Sequence, residues 1–161
     1  MRQKEVKFVY EVYNSIKSLS KDDADLLAHA RKITATAYAP YSNFQVGAVA
    51  LLANGEIIHG SNQENASYPV GLCAERVLIS AISSLYPNTA INTMVISYHN
   101  LNGNSGHPIS PCGICRQSLL EYEARLNHPM RVIMSGMDGK VFVIANAAML
   151  LPLSFTNEDL K

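Results

Sequence analysis

The three cysteines of this chain constrain it most. They fall in two short segments far apart in sequence, Cys73-Ala74-Glu75 and Pro111-Cys112-Gly113-Ile114-Cys115. Three thiolates can hold a tetrahedral Zn²⁺ while its fourth position stays open to water, which is the ligand count of a catalytic site; a sealed structural site needs a fourth protein ligand. A fold that uses them together must carry position 73 to the 112–115 pair. Glu75, two residues from the first candidate ligand, is placed to accept and return a proton at a metal-activated water.

Taken alone, Cys112 and Cys115 also fit half of a structural zinc knuckle, or a redox pair at the start of a helix. A redox pair accounts for neither the third cysteine nor the acid beside it, so catalytic zinc, one ion per chain, is the stronger reading. A closed site of three cysteines and one histidine, through His99 or His107, is the remaining zinc alternative. Both histidines fall in a stretch read as loop, where a solvated histidine is the commoner finding.

At 161 residues the chain reads as one domain, long enough to bury ~68–70% of the surface its unfolded form exposes. No metal is needed merely to rescue a small core. Thirteen basic residues balance thirteen acidic ones, and 48% of residues are hydrophobic, the composition of an ordinary soluble globule without the basic footprint of a nucleic-acid binder. An odd cysteine count with a C-x-x-C pair argues against a secreted disulfide framework and for a reducing compartment, with the cytoplasm expected. The first residues lack the apolar core of a signal peptide, and no apolar run reaches the ~20 residues that span a bilayer, so no membrane partner is expected.

Periodicity sets out the elements. Residues 5–13 alternate (Val6, Phe8, Tyr10, Val12 against Lys7, Glu11) and predict a strand or extended arm, with a helix as the alternative. Ser20-Lys-Asp-Asp23 reads as a capping box opening a helix of roughly 15 residues, with Leu26, Leu27, Ala30, Ile33 and Ala37 at helical spacing. Strands at 46–52 and 56–60 flank Asn54-Gly55 in a hairpin. Residues 62–68 predict a loop, and a helix from about 72 puts Glu75, Leu78, Ile79, Ile82 and Leu85 on one buried face. A strand at 91–98, a loop at 99–110, a helix at 112–126, strands at 131–135 and 140–144, and a helical turn at 145–151 follow. Strands separated by helices predict an α/β fold, a three-layer α/β/α sandwich on a mixed, about five-stranded sheet. Both cysteine segments open helices, whose positive ends favour thiolates.

The arrangement Cys-x-Glu followed by Pro-Cys-x-x-Cys resembles the signature of the zinc-dependent nucleobase deaminases. The chain as a whole is similar to the small homotetrameric cytidine deaminases with all-cysteine zinc ligation. The matching stretches are Ala39-Pro-Tyr-Ser-Asn-Phe-Gln-Val-Gly-Ala48, Gly60-Ser-Asn-Gln-Glu-Asn-Ala-Ser-Tyr68, Gly71-Leu-Cys-Ala-Glu-Arg76, Ser110-Pro-Cys-Gly-Ile-Cys-Arg-Gln117 and Leu150-Leu-Pro-Leu-Ser-Phe155. They occur in order over residues 38–156.

The resemblance implies hydrolysis of cytidine and 2′-deoxycytidine to uridine and 2′-deoxyuridine with loss of ammonia, in pyrimidine salvage. It implies that Cys73, Cys112 and Cys115 hold the zinc and that zinc-bound hydroxide attacks C4, with Glu75 as the proton shuttle. A zinc with three thiolates carries net negative charge and is a weaker Lewis acid; Arg76, as a donor to a cysteine sulfur, is the candidate that offsets it. Asn62 and Glu64 resemble the pair that binds the ribose 3′-hydroxyl. Phe44 packs on the nucleoside, Tyr68 and the backbone of Ala74 complete the pocket, and Phe155 stacks on the pyrimidine in a neighbouring subunit, which implies a homotetramer with shared sites. By the same comparison residues 1–20 are an extension, an edge strand or contact arm, and residues 21–161 the catalytic domain. Gln45 stands where proline is frequent, and the 102–108 loop looks long. The rival readings are deamination of another cytosine compound such as blasticidin S, and a non-catalytic zinc-stapled interaction module.

Overall fold

Burial runs almost unbroken along the central strands, because both faces of the sheet are covered. The computed structural model describes residues 1–161. Its elements are β1 Glu11–Tyr13, α1 Lys21–Ile33, β2 Phe44–Leu52, β3 Ile57–Ser61, α2 Ala74–Leu85, β4 Ile91–Asn100, α3 Gly113–Leu126, β5 Arg131–Ser135 and β6 Val141–Ile144, with short 3₁₀ turns including Ala147–Leu150. Ala48, Ala50, Met94, Ile96, Val132 and Met134 face α2 and α3, meeting Ala74, Leu78, Ile82 and Leu119. Their neighbours Val49, Val95, Ile133 and Val143 face α1, meeting Leu26, Leu27, Ala30 and Ile33. The period of two along each strand therefore builds three layers, helix, sheet and helix pair, as expected.

The strand order is β1-β6-β5-β4-β2-β3. β4 and β5 run parallel, and every other neighbouring pair is antiparallel. Because β3 and β4 each run against β2, they run the same way as one another. Parallel strands need a crossover, so α2 crosses from β3 to β4 and α3 from β4 to β5, and both helices begin at the same end of the sheet. Two glycines let helices lie at backbone distance from it. A Cβ on Gly47 would fall 2.4 Å from the Ala30 carbonyl oxygen, and one on Gly60 would fall 2.8 Å from the Leu78 amide nitrogen. No helix is long and apolar enough to cross a membrane.

Several expectations are corrected. The sheet has six strands rather than about five, because Glu11–Tyr13 joins it beside β6. Only Glu11–Tyr13 of the expected 5–13 strand pairs, in register with Val143, Phe142 and Val141 of β6. β4 continues to Asn100, so His99 lies in a strand opposite Gln45 and not in a loop. The β2–β3 hairpin, by contrast, turns through Ala53, Asn54 and Gly55 as expected, with Leu52 N–H donating to Glu56 O at 2.9 Å and Gly55 at φ 89°, the left-handed position such a loop requires. Leu85 is 67% exposed and leaves the buried face of α2.

The capping box is half formed. Ser20 Oγ accepts from the Asp23 amide at 3.2 Å, but the Asp23 carboxylate turns to β5, accepting from Arg131 Nη1 at 2.6 Å and Nη2 at 2.8 Å. The Arg131 guanidinium holds the Asp23 carboxyl below its ordinary range, against the opposing effect of burial. A carboxyl lowered in the folded state stabilises the fold above its unfolded value, about 3.9, and that contribution disappears as pH falls through the folded value. Asp23→Asn is expected to cost about 1 kcal/mol at neutral pH. In urea melts across a pH series, the difference from the unaltered protein should close as the solution is acidified below the carboxylate range.

Candidate active site

Because α2 and α3 start at one end of the sheet, the residues just before them meet. Cys73 is the N-cap of α2 and Cys112 that of α3, and neither thiol is spent on capping. The sulfur of Cys73 lies 3.7 Å from that of Cys112, which lies 3.4 Å from Cys115 Sγ. All three sulfurs fall within 4.8 Å of one another. Zinc–sulfur bonds of about 2.3 Å at tetrahedral angles separate sulfurs by about 3.8 Å, so the three fit one ion. No histidine joins the group: His99 is in β4, and His107 Nδ1 meets the Tyr98 hydroxyl at 3.1 Å. The closed site of three cysteines and one histidine is not formed.

The thiols are electrostatically linked. A hydrogen bond from Cys115 draws Cys73 down to about 6, against its burial, with Cys112 and the charge of Arg76 assisting. The same bond and its own burial push Cys115 up. All three can be thiolates together only with a cation among them, and binding that cation must release protons. Soft sulfur donors at two helix N-termini are the chemistry that selects zinc over a hard cation.

Glu75 occupies the first turn of α2 and is 4% exposed. Burial is the main cause that raises its carboxyl above the ordinary range; the charge of Cys73 adds to this, while its own amide and Cys115 oppose it. Such a group holds and gives up a proton closer to neutrality than a surface glutamate does. With Cys73 and Cys112 it lines a cavity of about 530 Å³, walled by Phe44, Val46, Ile96, Leu72 and Ile109 and edged by Ser42, Asn62, Gln63, Glu64, Tyr68 and Ser110.

Asn62 and Glu64 edge this cavity with much of their hydrogen bonding already committed. Asn62 donates to Phe44 O at 2.9 Å and accepts from the Val46 amide at 2.7 Å. Glu64 accepts from the Tyr41 amide at 2.9 Å, from the Ser42 amide at 3.3 Å, and from the Ser42 hydroxyl. Lost hydration pulls the Glu64 carboxyl upward, but these donors outweigh it and hold the group below its usual range. Between them, Gln63 exchanges backbone hydrogen bonds with Leu72 in both directions at 2.9 Å, which ties this rim to the residue before Cys73.

The remaining candidates are spread more widely. Ala74 is buried at the start of α2, where the first amides have no intrahelical acceptor. Arg76 makes no hydrogen bond to a sulfur; its influence on Cys73 is through charge. Tyr68 packs edge-on against Tyr41, ring centroids 6.1 Å apart. Phe155 is 59% exposed and stands outside this cavity, with its carbonyl accepting from Gln117 Nε2 at 3.0 Å.

Two positioning groups escaped sequence reasoning. Arg116 donates to Pro111 O at 2.8 Å and to Leu150 O at 3.1 Å, clamping the cysteine loop to the C-terminal turn. The buried carboxylate of Glu123 accepts from the amides of Met130 and Ala147, each at 3.0 Å. Arg116 was signalled by its place beside Cys115; Glu123, on a helix of mixed polarity, carried no signal.

A family model described as the cytidine and deoxycytidylate deaminase zinc-binding region matches residues 20–127. Cytidine deaminase of Sporosarcina psychrophila is 36% identical over 142 residues, covering 87% of this chain and 96% of that one. The enzyme of the same name from Mycoplasma pneumoniae is 42% identical over 104 residues, 63% of this chain and 74% of the relative. Among solved structures, cytidine deaminase from Burkholderia pseudomallei superposes with a TM-score of 0.70 at 35% identity, over 85% of this chain and 100% of that one. The Mycobacterium tuberculosis enzyme gives 0.64 at 29% identity, over 84% and 98%. Three sulfurs spaced for one zinc ion, a buried carboxyl beside them, and this similarity over most of the length together place the chain in the cytidine and deoxycytidylate deaminase family.

Proposed function

We propose that this protein, a cytidine deaminase by family, hydrolyses cytidine and 2′-deoxycytidine to uridine and 2′-deoxyuridine with release of ammonia. The observation that carries the reading is a buried, proton-avid carboxyl that lines a 530 Å³ cavity together with Cys73 and Cys112, two of three convergent thiols; the volume is within the 300–1,000 Å³ range of small-molecule sites. A zinc ion held by Cys73, Cys112 and Cys115 supplies Lewis acidity and lowers the pKa of water. Glu75 takes the proton from the attacking water, delivers it to ring N3, and then assists departure of the amine from C4. Its burial suits it to both directions of transfer. The positive charge of Arg76 and the N-terminal ends of α2 and α3 offset the excess negative charge of the sulfurs.

The cavity walls divide the nucleoside between them. Phe44 packs against it, and Asn62 and Glu64 take the sugar 3′-hydroxyl with the lone pairs and proton that their internal hydrogen bonds leave free; an ionised acceptor such as Glu64 makes the stronger bond. Being already tied to the backbone, both residues pay little entropy to bind. The Ala74 backbone and Tyr68 complete the site. Phe155, exposed and outside its own cavity, stacks on the pyrimidine of a neighbouring copy in a homotetramer. Residues 21–161 are the catalytic domain, residues 1–20 an extension, and the cellular role is pyrimidine salvage in the cytoplasm.

The test is ultraviolet detection of uridine formation from cytidine and from its 2′-deoxy analogue. Glu75→Gln should lower turnover by at least about 100-fold, the scale of general acid–base catalysis, while zinc content stays at one per chain; an active Glu75→Gln enzyme would refute the assignment. Cys112→Ser should lose most of its zinc by metal analysis, with activity falling in step. Phe155→Ala should raise KM roughly three- to tenfold, the scale of one aromatic stacking contact. An unchanged KM, or a monomer in sedimentation, would remove the shared-site part of the reading.

A further inference from the structure

Behind the cavity wall at Phe44 lie two polar groups that the chemistry above does not use. The Tyr98 ring stacks on Phe44, centroids 5.0 Å apart and planes 14° from parallel. In the β2–β4 register Val46 is opposite Tyr98 and Phe44 is opposite Asn100, so the two rings are diagonal neighbours on one face of the sheet. Stacking alone would be served by phenylalanine. A tyrosine that is 1% exposed must also partner its hydroxyl, and the partner is Nδ1 of His107 at 3.1 Å. The imidazole meets the phenol ring edge to face, 5.7 Å between centroids.

His107 belongs to the long loop between β4 and α3. Two and three residues further on, Ile109 and Ser110 line the same cavity as Phe44, and Cys112 follows. The outer part of this loop is seated on the β5–β6 turn. There a Cβ on Gly136 would fall 1.7 Å from Ser105 O and one on Gly139 2.1 Å from Gly106 O, and the Met137 amide donates to Ser105 O at 2.8 Å. Its inner end is joined to the Phe44 wall by the Tyr98–His107 hydrogen bond.

We propose that Tyr98 and His107 are positioning residues for nucleoside binding, their hydrogen bond setting the gap between Phe44 on one side of the cavity and Ile109–Ser110 on the other. This rests on the reading of that cavity as the nucleoside site. Neither residue is among the groups that hold the metal or move the proton, so their effect falls on substrate binding and leaves the chemical step alone. Tyr98→Phe keeps the stacked ring and removes only the hydroxyl; His107→Ala removes the partner at a surface position.

The experiment is steady-state kinetics with cytidine on the zinc-loaded full chain, with thermal melts and zinc content measured on each variant. Each single variant should raise KM about three- to tenfold, the range of one net hydrogen bond, with kcat changed by less than about twofold. The double variant should be no worse than either single one, because both delete the same bond, and His107→Gln should recover part of the loss. Unchanged KM in the single variants, additive effects in the double one, or a fall in kcat that follows lost zinc or lowered melting temperature would overturn the proposal. A wild-type chain inert towards cytidine would overturn the functional reading and this proposal with it, before any variant is compared.

Discussion

Two crossover helices rising from the same end of one sheet are the constraint on which the rest of this molecule depends. A strand followed by a helix and then a parallel strand must return over the sheet face, and the chain does this twice in succession on the same side, from β3 through α2 to β4 and from β4 through α3 to β5. The two helix starts are thereby brought together, and with them Cys73 and the Cys112–Cys115 pair, whose sulfurs end within 4.8 Å of one another. Gly60 sets how closely α2 lies on the sheet. A side chain there would meet the backbone of Ala74 and Leu78 at about 3 Å and push away the helix that carries both Cys73 and Glu75.

The same packing that buries the sheet gives the site its electrostatics. Glu75 follows directly on the buried Ala74 in a helix whose inner face is Leu78 and Ile82, so the core that stabilises α2 also withdraws water from the carboxyl. Three thiols gathered nearby are mutually repulsive once ionised, and a divalent cation converts that repulsion into attraction. Core packing, metal affinity and proton affinity are thus set by one arrangement of helices. The polar rim follows another logic. Asn62 and Glu64 are held by the backbone of residues 41–46, so their positions are settled before anything binds.

How much of this could be read in advance depended on how local the signal was. The helix α2 with Glu75 turned inward was legible because Leu78 and Ile82 recur at helical spacing, and the β2–β3 hairpin because Asn54-Gly55 supplies a left-handed turn position. The strand expected over residues 5–13 shrank to three residues, since alternation shows that a segment can pair but not how much strand edge is available to it. His99 was misread as loop because β4 gains its last residues from pairing with Gln45 and Phe44, a register that local propensity does not encode. Asp23 was read as a capping partner, but tertiary contact with Arg131 claimed its carboxylate. Glu123 escaped notice because its acceptors, the amides of Met130 and Ala147, are supplied by segments outside its helix.

Residue type and spacing by themselves singled out the three cysteines as candidate ligands, the acid beside them, and the three-layer α/β plan, because a metal's preference for thiolate and the periods of helix and strand are properties of short stretches. Tertiary structure alone decided that the three sulfurs meet with no histidine among them, that Asn62 and Glu64 are braced by the backbone, and that Tyr98 backs Phe44 and reaches His107. Each of these depends on distances between segments remote in the chain, and such distances are fixed only when strand register and crossover direction are set together.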